Sequence, residues 1–487
     1  QRVTDTYPPA ENGGGVKVEE RQKVSRSMTK HRESEPGHAG LRGLGVAGAI
    51  GAALLLTACA DEQTYLPGKR EDVRAVLQNP GVQDPAFDAI DGPVPENISR
   101  AIALGGAVNN ANWTHSVGTP STRVGHPALR STLQPVWSAK IGAGDSRKQR
   151  ITADPVVAGG RVFTLDAGAQ VTATSTSGQT LWTRDLTPAS DREGQATGGG
   201  LAVDGETLYV SVGFGVLAAL DVTTGGVRWT QDLDATGSGT PTVTGDLVYL
   251  TAGDDTGFAL DKTTGRIQWQ TGAVTSLSNV LGAPAPAITN DLAIFAFGSG
   301  EVQGLFRQGG LERWATSVLG KRQGRALSFV GDVTSAPVVS GGTVYVGNHS
   351  GRLAALDVNS GDRKWVARDG AIGPVWPAGD SVFAVTDLNE LVRLDASTGR
   401  RIWGTPLPNF VKDRPRRQSE VVAHYGPIIA GGRVIVASND GVLRSFDPVG
   451  GGLTGTTQIP DGATTAPVVA GGTLYVVSTK GQLHAFR

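Results

Sequence analysis

The residue with the clearest covalent chemistry is Cys59, the one cysteine in 487 residues. A thiol is a nucleophile, and this one follows Leu56, Thr57 and Ala58, two small side chains behind a leucine. A single cysteine excludes an internal disulfide and a thiolate zinc site. The seven histidines are scattered, two of them ahead of Cys59, and form no metal-ligand set. Neither Gly-x-x-x-x-Gly-Lys-(Ser/Thr) nor His-Glu-x-x-His occurs. The Gly-x-Gly pairs sit in hairpin-like turns, not between a strand and a helix, so they are not dinucleotide fingerprints. Lys+Arg 44 nearly balance Asp+Glu 45, which gives no footprint for nucleic acid. Glycine is abundant at 69 and charged residues make up only 18%, a turn-rich composition unlike long helices or charge-rich disorder.

What positions Cys59 is a leader. Lys30, His31, Arg32 and Arg42 precede an apolar run from Gly43 to Ala58. The run is shorter than the roughly 20 residues of a comfortable membrane span, and small residues end it, as in a secretory signal. Leu56-Thr57-Ala58-Cys59 resembles the bacterial lipobox, whose thiol forms the thioether to lipid and whose small residues admit the peptidase. The competing readings are a buried or free thiol and a signal cut as a soluble export sequence. Met28 is the one methionine, so residues 28–58 read as a lipoprotein signal peptide and 1–27 as a non-native upstream segment. An acylated (palmitate-bearing) Cys59 would begin the mature chain. Ala60 rather than Asp follows it, which favours the outer membrane, facing the periplasm, over inner-membrane retention. Residues 59–131, with Pro67, Pro80, Pro85, Pro93, Pro95 and Pro120, read as a largely irregular tether and strap. Asp72–Leu77 could make one or two helical turns.

From Asp154 onward the chain repeats. Trp182, Trp229, Trp269, Trp314, Trp365 and Trp403 each close a unit of alternating apolar runs separated by Gly-Gly, Asn/Ser-Gly and Ser/Thr-Gly turns. The signature is Asp-x-x-(Ser/Thr)-Gly-x-x-x-Trp, as in Asp221–Trp229, Asp261–Trp269, Asp357–Trp365 and Asp395–Trp403. Weaker copies begin at Thr174 and Phe306, and a copy at Asp447 has Gly455 where the Trp belongs. The recurring Asp is expected to cap its turn and the Trp to wedge between sheets, a structural use that fits recurrence better than catalysis. Eight units start near Asp154, Leu201, Pro241, Pro286, Pro337, Pro374, Pro427 and Pro467. The eighth ends at Arg487 without a fourth strand, and Leu133–Ile141, with Trp137, is a fourth strand without its first three. Donating the second to the first closes a ring. The expected fold is all-β: a single eight-bladed β-propeller of four-stranded blades over 132–487, closed by an N-terminal strand.

The repeat resembles the pyrroloquinoline-quinone-type propeller family, which includes quinoprotein dehydrogenases and cofactor-free scaffolds. With the lipobox, the chain is similar to the BamB family of outer-membrane protein assembly lipoproteins. That resemblance implies a non-catalytic scaffold without cofactor or metal, itself monomeric. It implies a POTRA domain of a BamA-type barrel insertase as partner, held by the loops entering the fourth and fifth blades, here Thr271–Ala285 and Leu319–Ser335. The family's Leu-x-Leu-Arg-Gly contact motif maps to Ser278-Asn279-Val280-Leu281-Gly282, keeping an apolar residue at Val280 and replacing Arg by Leu281. Its Asp-Val-Asp-Thr run maps to Asp332-Val333-Thr334-Ser335, keeping the first Asp and replacing the second by Thr334. The expected partner-binding residues are Val280, Leu281, Asp332 and Thr334.

Two other functions compete. A quinoprotein dehydrogenase would need adjacent cysteines and a Glu, Asn and Asp set for Ca²⁺, and this chain has Cys59 alone. A propeller binding a peptide, a glycan or another envelope partner would gather aromatic or acidic residues at one mouth, with Trp376, His349 and His424 as candidates. The run Lys412-Asp-Arg-Pro-Arg-Arg417 is a basic loop, solvated or facing an anionic surface.

Overall fold

The computed structural model describes residues 95–192, 194–235, 239–274, 282–320, 333–412, 414–418 and 420–487, all within one unit, Gln83–Arg487. Leu56, Thr57, Ala58, Cys59 and the turn expected at Asp72–Leu77 lie outside them.

Val-, Leu- and Thr-rich runs alternating with glycine turns can bury both faces only by stacking sheet on sheet. They do so in eight antiparallel four-stranded sheets, the blades of a β-propeller. Blades 1 to 7 span 156–185, 199–232, 242–272, 287–317, 338–367, 376–406 and 424–458. Blade 8 joins Val468–Ala470, Thr473–Val477 and Gln482–Phe486 to Pro135–Lys140. The ring is therefore closed by the strand expected to close it, and Gln134 and Arg487 exchange two further backbone bonds of 2.9 Å.

Burial grades outward along each blade. Most first strands near the axis are short, as in Val156–Ala158 and Val338–Ser340, with Gly199–Asp204 and His424–Ala430 the longer exceptions. Second and third strands such as Thr207–Val212 and Val216–Asp221 are buried almost throughout. Fourth strands such as Val227–Asp232 are largely exposed. The apolar clusters bridge neighbouring blades. One of them packs Phe163 and Leu165 of blade 1 on Leu201 and Leu208 of blade 2.

The signature residues make the seams between blades. Trp229 Nε1 donates to Lys262 O (3.0 Å) in the signature turn of the next blade, and its ring lies against Gly265 there. Gly265 has φ +75°, and a Cβ would meet the Trp229 ring within 3 Å, so both backbone angle and indole demand glycine. The indoles of Trp137, Trp182, Trp269, Trp314, Trp365 and Trp403 donate in the same way to Thr176, Val222, Arg307, Val358, Ala396 and Pro448. Each signature Asp caps its turn: Asp221 Oδ1 accepts from the amides of Thr223 and Thr224, and Asp395 Oδ1 from those of Ser397 and Thr398.

Because each blade has four antiparallel strands, every link from a fourth strand to the next first strand emerges on one face. The tight turn after each first strand emerges on the other. Residues 97–134 run over the second face and into the ring. Asn97 and Ile98 pair with Gly404 and Ile402 on the outer strand of blade 6. Arg393, wholly buried, donates to the carbonyls of Arg100 and Ala101. The chain then bonds the first strand or first turn of successive blades. Asn110 meets Val469, Trp113 meets Val157, Thr114 O accepts from Val203, and His115 sits at Val243. Pro120 O and Ser121 O accept from Ile288 and Val339, Arg123 donates to Pro374 and Val375, and Pro127 O accepts from Gly431. This strap has backbone order without strand periodicity, and it fills the second face of the axis.

Candidate functional site

Trp376 and His424, candidates for a ligand mouth, belong to the interior. Trp376 is buried, with the Trp113 ring 6.1 Å away and the Arg123 guanidinium 5.0 Å over it. First strands line the axis, so an aromatic residue there is covered once the strap enters. His424 is buried between Ser438 Oγ (2.7 Å) and Pro408 O (2.8 Å). His349 is half-buried in a turn of blade 5.

The ionisable groups under the strap are tied down. His115 Nε2 lies 3.1 Å from Val243 N and 3.0 Å from Val243 O, and Nδ1 lies 2.8 Å from Thr114 Oγ1. Burial pushes its pKa down to about 4, against the Val243 hydrogen bond. Asp154, pushed up by burial, accepts from Ser116 Oγ (2.8 Å) and Ala466 N (2.9 Å). The signature carboxylates go the other way. Arg228 and then Thr224 hold Asp221 well below the usual range, and Thr224-like bonds from Thr264 do so for Asp261. They are turn caps with committed lone pairs, not poised acids or bases.

The fourth-to-first links on the first face look different. Among the described residues, the exposed large apolar side chains include Val274 (77%) at the root of the loop entering blade 4 and Leu319 (41%) at the root of the loop entering blade 5. Ile372 is exposed in the link to blade 6, and Phe410, Val411 and Val421 in the link to blade 7. Four adjacent blades thus present apolar side chains on one face. Arg401 steadies the link into blade 6 through Asp369 and Glu390 (2.9 Å).

Of the expected contact residues, Val280, Leu281 and Asp332 lie outside the described residues. Thr334 is half-buried, and its Oγ1 donates to Ala371 O (3.3 Å), tying the link into blade 5 to the link into blade 6. Val333 beside it is buried and bridges to Asn348. Nothing in the repeat pattern marks Val274 or Leu319. Each lies two residues beyond its blade's last strand, past the point where the blade still covers an apolar side chain such as Val318.

The repeat raises the question of a quinone with Ca²⁺. The residues present do not fit that group. There is no cysteine other than Cys59, no cluster of three or more His, Cys, Asp or Glu occurs among the described residues, and the axial Trp376 is covered by Trp113 and Arg123.

A family profile described as outer membrane protein assembly factor BamB matches residues 167–405 and 410–487. Relatives bearing that name include one from Shewanella oneidensis, 23% identical over 342 residues, covering 68% of this chain and 83% of the relative. Another, from Salmonella typhimurium, is 28% identical over 326 residues, covering 65% and 80%. The crystal structure of BamB from Moraxella catarrhalis has the same fold, with a TM-score of 0.60 and 19% identity over 73% of this chain and 100% of that one. Quinohemoprotein alcohol dehydrogenase from Comamonas testosteroni shares the fold as well, with a TM-score of 0.57 and 15% identity over 78% and 81%. Fold likeness therefore reaches both branches of the repeat, and the sequence match separates them: the chain belongs to the outer membrane protein assembly factor BamB family.

Proposed function

We propose that this chain is a non-catalytic scaffold, lipid-anchored through Cys59 to the outer membrane and facing the periplasm. It binds a POTRA domain of a BamA-type barrel insertase and aids insertion of outer-membrane proteins. The observation that carries this reading is the exposure of Val274 and Leu319 at the roots of the two loops where the family resemblance puts the contact. Apolar anchors on a rigid frame need little ordering on binding, and burying one such side chain is worth about 1.5–3 kcal/mol. Val280, Leu281, Asp332 and Thr334 belong to the same surface in this reading.

The test is a mild-detergent pull-down of the lipidated protein from its own envelope, with copurifying proteins identified by mass. A POTRA-bearing insertase is the expected product. Val274→Asp with Leu319→Asp should cut its recovery about tenfold or more while lowering the melting temperature little, since Val274 is largely solvated and Leu319 partly so. Full recovery with the double variant overturns the surface. Recovery of some other envelope component in place of an insertase overturns the function.

A further inference from the structure

The link from blade 6 to blade 7 differs from its neighbours. It is a short two-stranded ribbon: Phe410 bridges Val421, Val411 N donates to Glu420 O (3.0 Å) and Val422 N to Asn409 O (3.0 Å). Its root is fixed, because His424 holds Pro408 O and Asn389 Nδ2 donates to Asn409 Oδ1 (3.0 Å) and Val422 O (3.3 Å). Its tip carries Lys412, Arg414, Arg416 and Arg417, all exposed, around the 3-10 turn Pro415–Arg417. No described residue pairs with these four side chains. Along the ribbon Phe410, Val411 (47%) and Val421 (53%) are exposed. Four cations against the carboxylates of Asp413 and Glu420 make it basic, in a chain whose net charge is −1.

Exposed cations beside exposed apolar side chains, on a protruding element with a rigid root, suit a surface that is anionic outside and apolar just beneath. We propose that this ribbon is a membrane-contact element. Arg414, Arg416, Arg417 and Lys412 at the tip seat on the phosphates of anionic phospholipid headgroups, and with the ribbon lying along the surface Phe410, Val411 and Val421 on its flank rest in the interfacial layer. A specific protein interface uses about 800 Å² per partner of matched shape, whereas a bilayer requires no matching shape. Arginine is suited to phosphate by its planar fork. That a bilayer is near rests on the anchored reading above. From Cys59 to Pro95 the chain can extend about 120 Å at roughly 3.4 Å per residue. Length alone therefore does not choose which face meets the membrane, and the ribbon's chemistry does.

The experiment uses the mature chain from residue 59 onward with Cys59→Ser, so that neither acylation nor the apolar run 43–58 carries every variant to the bilayer. Co-sedimentation is measured on vesicles of phosphatidylglycerol with phosphatidylethanolamine and on vesicles of phosphatidylcholine. The expected result is binding to the anionic vesicles that falls with salt and drops about tenfold in R414E/R416E/R417E. Phe410→Ser should lower it about threefold, and reversal of Arg266, Arg363 and Arg400 on the opposite face should leave it unchanged. Equal binding of the R414E/R416E/R417E variant, or equal binding to the neutral vesicles, overturns the proposal. So does loss of an acidic envelope protein from pull-downs of this variant while vesicle binding is kept, which assigns the ribbon to that protein. Insertase recovery by the lipidated R414E/R416E/R417E variant should stay at the parent level, which separates this test from that of the scaffold function.

Discussion

Seven seams of the ring are closed by an indole from one blade seated on a glycine turn of the next. The seam between blades 7 and 8 has neither half of that joint. Gly455 stands where the Trp belongs, with nothing within 4 Å of a Cβ built there, and blade 8 ends before a signature turn. The strap supplies the missing contact. Arg433 of blade 7 donates to the carbonyls of Arg130 (2.6 Å) and Ser131, Leu133 is buried beside them, and Gln134 continues onto Arg487 of blade 8. The difference shows that the Asp-to-Trp signature encodes interfaces rather than blades. Blade 7 folds into four strands without its Trp, because strand pairing and burial of Val434, Ile435 and Leu443 suffice for that. What it lacks is the indole joint, and its seam with blade 8 rests instead on the strap and on the apolar cluster that joins Val434, Ile435 and Leu443 to Val468, Leu474 and Val476.

The indole seams are most vulnerable to loss of the indole itself. Trp403 is wholly buried and bonds Pro448 O at 3.2 Å. Trp403→Ala should lose about 3–5 kcal/mol in denaturant unfolding, the usual cost of emptying a large core site. A loss under about 1 kcal/mol would deny the indoles their part in the seams.

Acid titrates the strap without touching the indoles. The folded pKa of His115 is pushed below its unfolded value of 6.5, to about 4. Its neutral form is favoured by the fold, so its contribution is complete above pH 6.5 and is lost as pH falls toward 4, where the unfolded chain alone takes up the proton. The loss amounts to ~3 kcal/mol at about 1.4 kcal/mol per unit. Asp154, raised by burial, acts in the opposite sense, so the readout is the difference between wild type and His115→Gln. Thermal melting of wild type should fall more steeply across that window. Parallel curves would mean that His115 titrates alike in both states.

The smallest effect is expected at Gly455→Trp. An indole added there finds no glycine turn on blade 8, so stability should stay within about 0.5 kcal/mol of wild type. A gain of 2 kcal/mol or more (roughly a buried aromatic's worth) would reveal a socket on blade 8 and erase the distinction between the two kinds of seam.

The blades were legible because their signals are local. Gly-Gly turns such as Gly341-Gly342, with φ of +54° and +75°, announce hairpins, and Trp at a fixed distance from its Asp announces the seam. Closure was legible from Leu133–Ile141 because a strand without partners and a blade without its strand are complementary defects. The path of residues 97–131 was not legible. It bonds through carbonyls at Thr114, Pro120, Ser121 and Pro127, and a backbone acceptor leaves no trace in side-chain pattern. The same holds for Trp376, whose place under Trp113 depends on that path. At the first face, resemblance identified the loops, but the exposure of Val274 and Leu319 follows from where each fourth strand stops, a boundary that sequence pattern locates only to within a few residues.

Blade 8 also has a kinetic consequence. Lys140 and Gln482 are paired across about 340 intervening residues, among the most distant partners in the chain. Until that pairing forms, Gln482–Phe486 is an unguarded edge, and Pro135–Lys140 is a free strand of matching register. Where the protein concentration approaches the effective concentration of the chain's own two strands, half-folded copies can exchange them, giving intertwined dimers whose blades are all native. Dilution during refolding favours the single ring for the same reason.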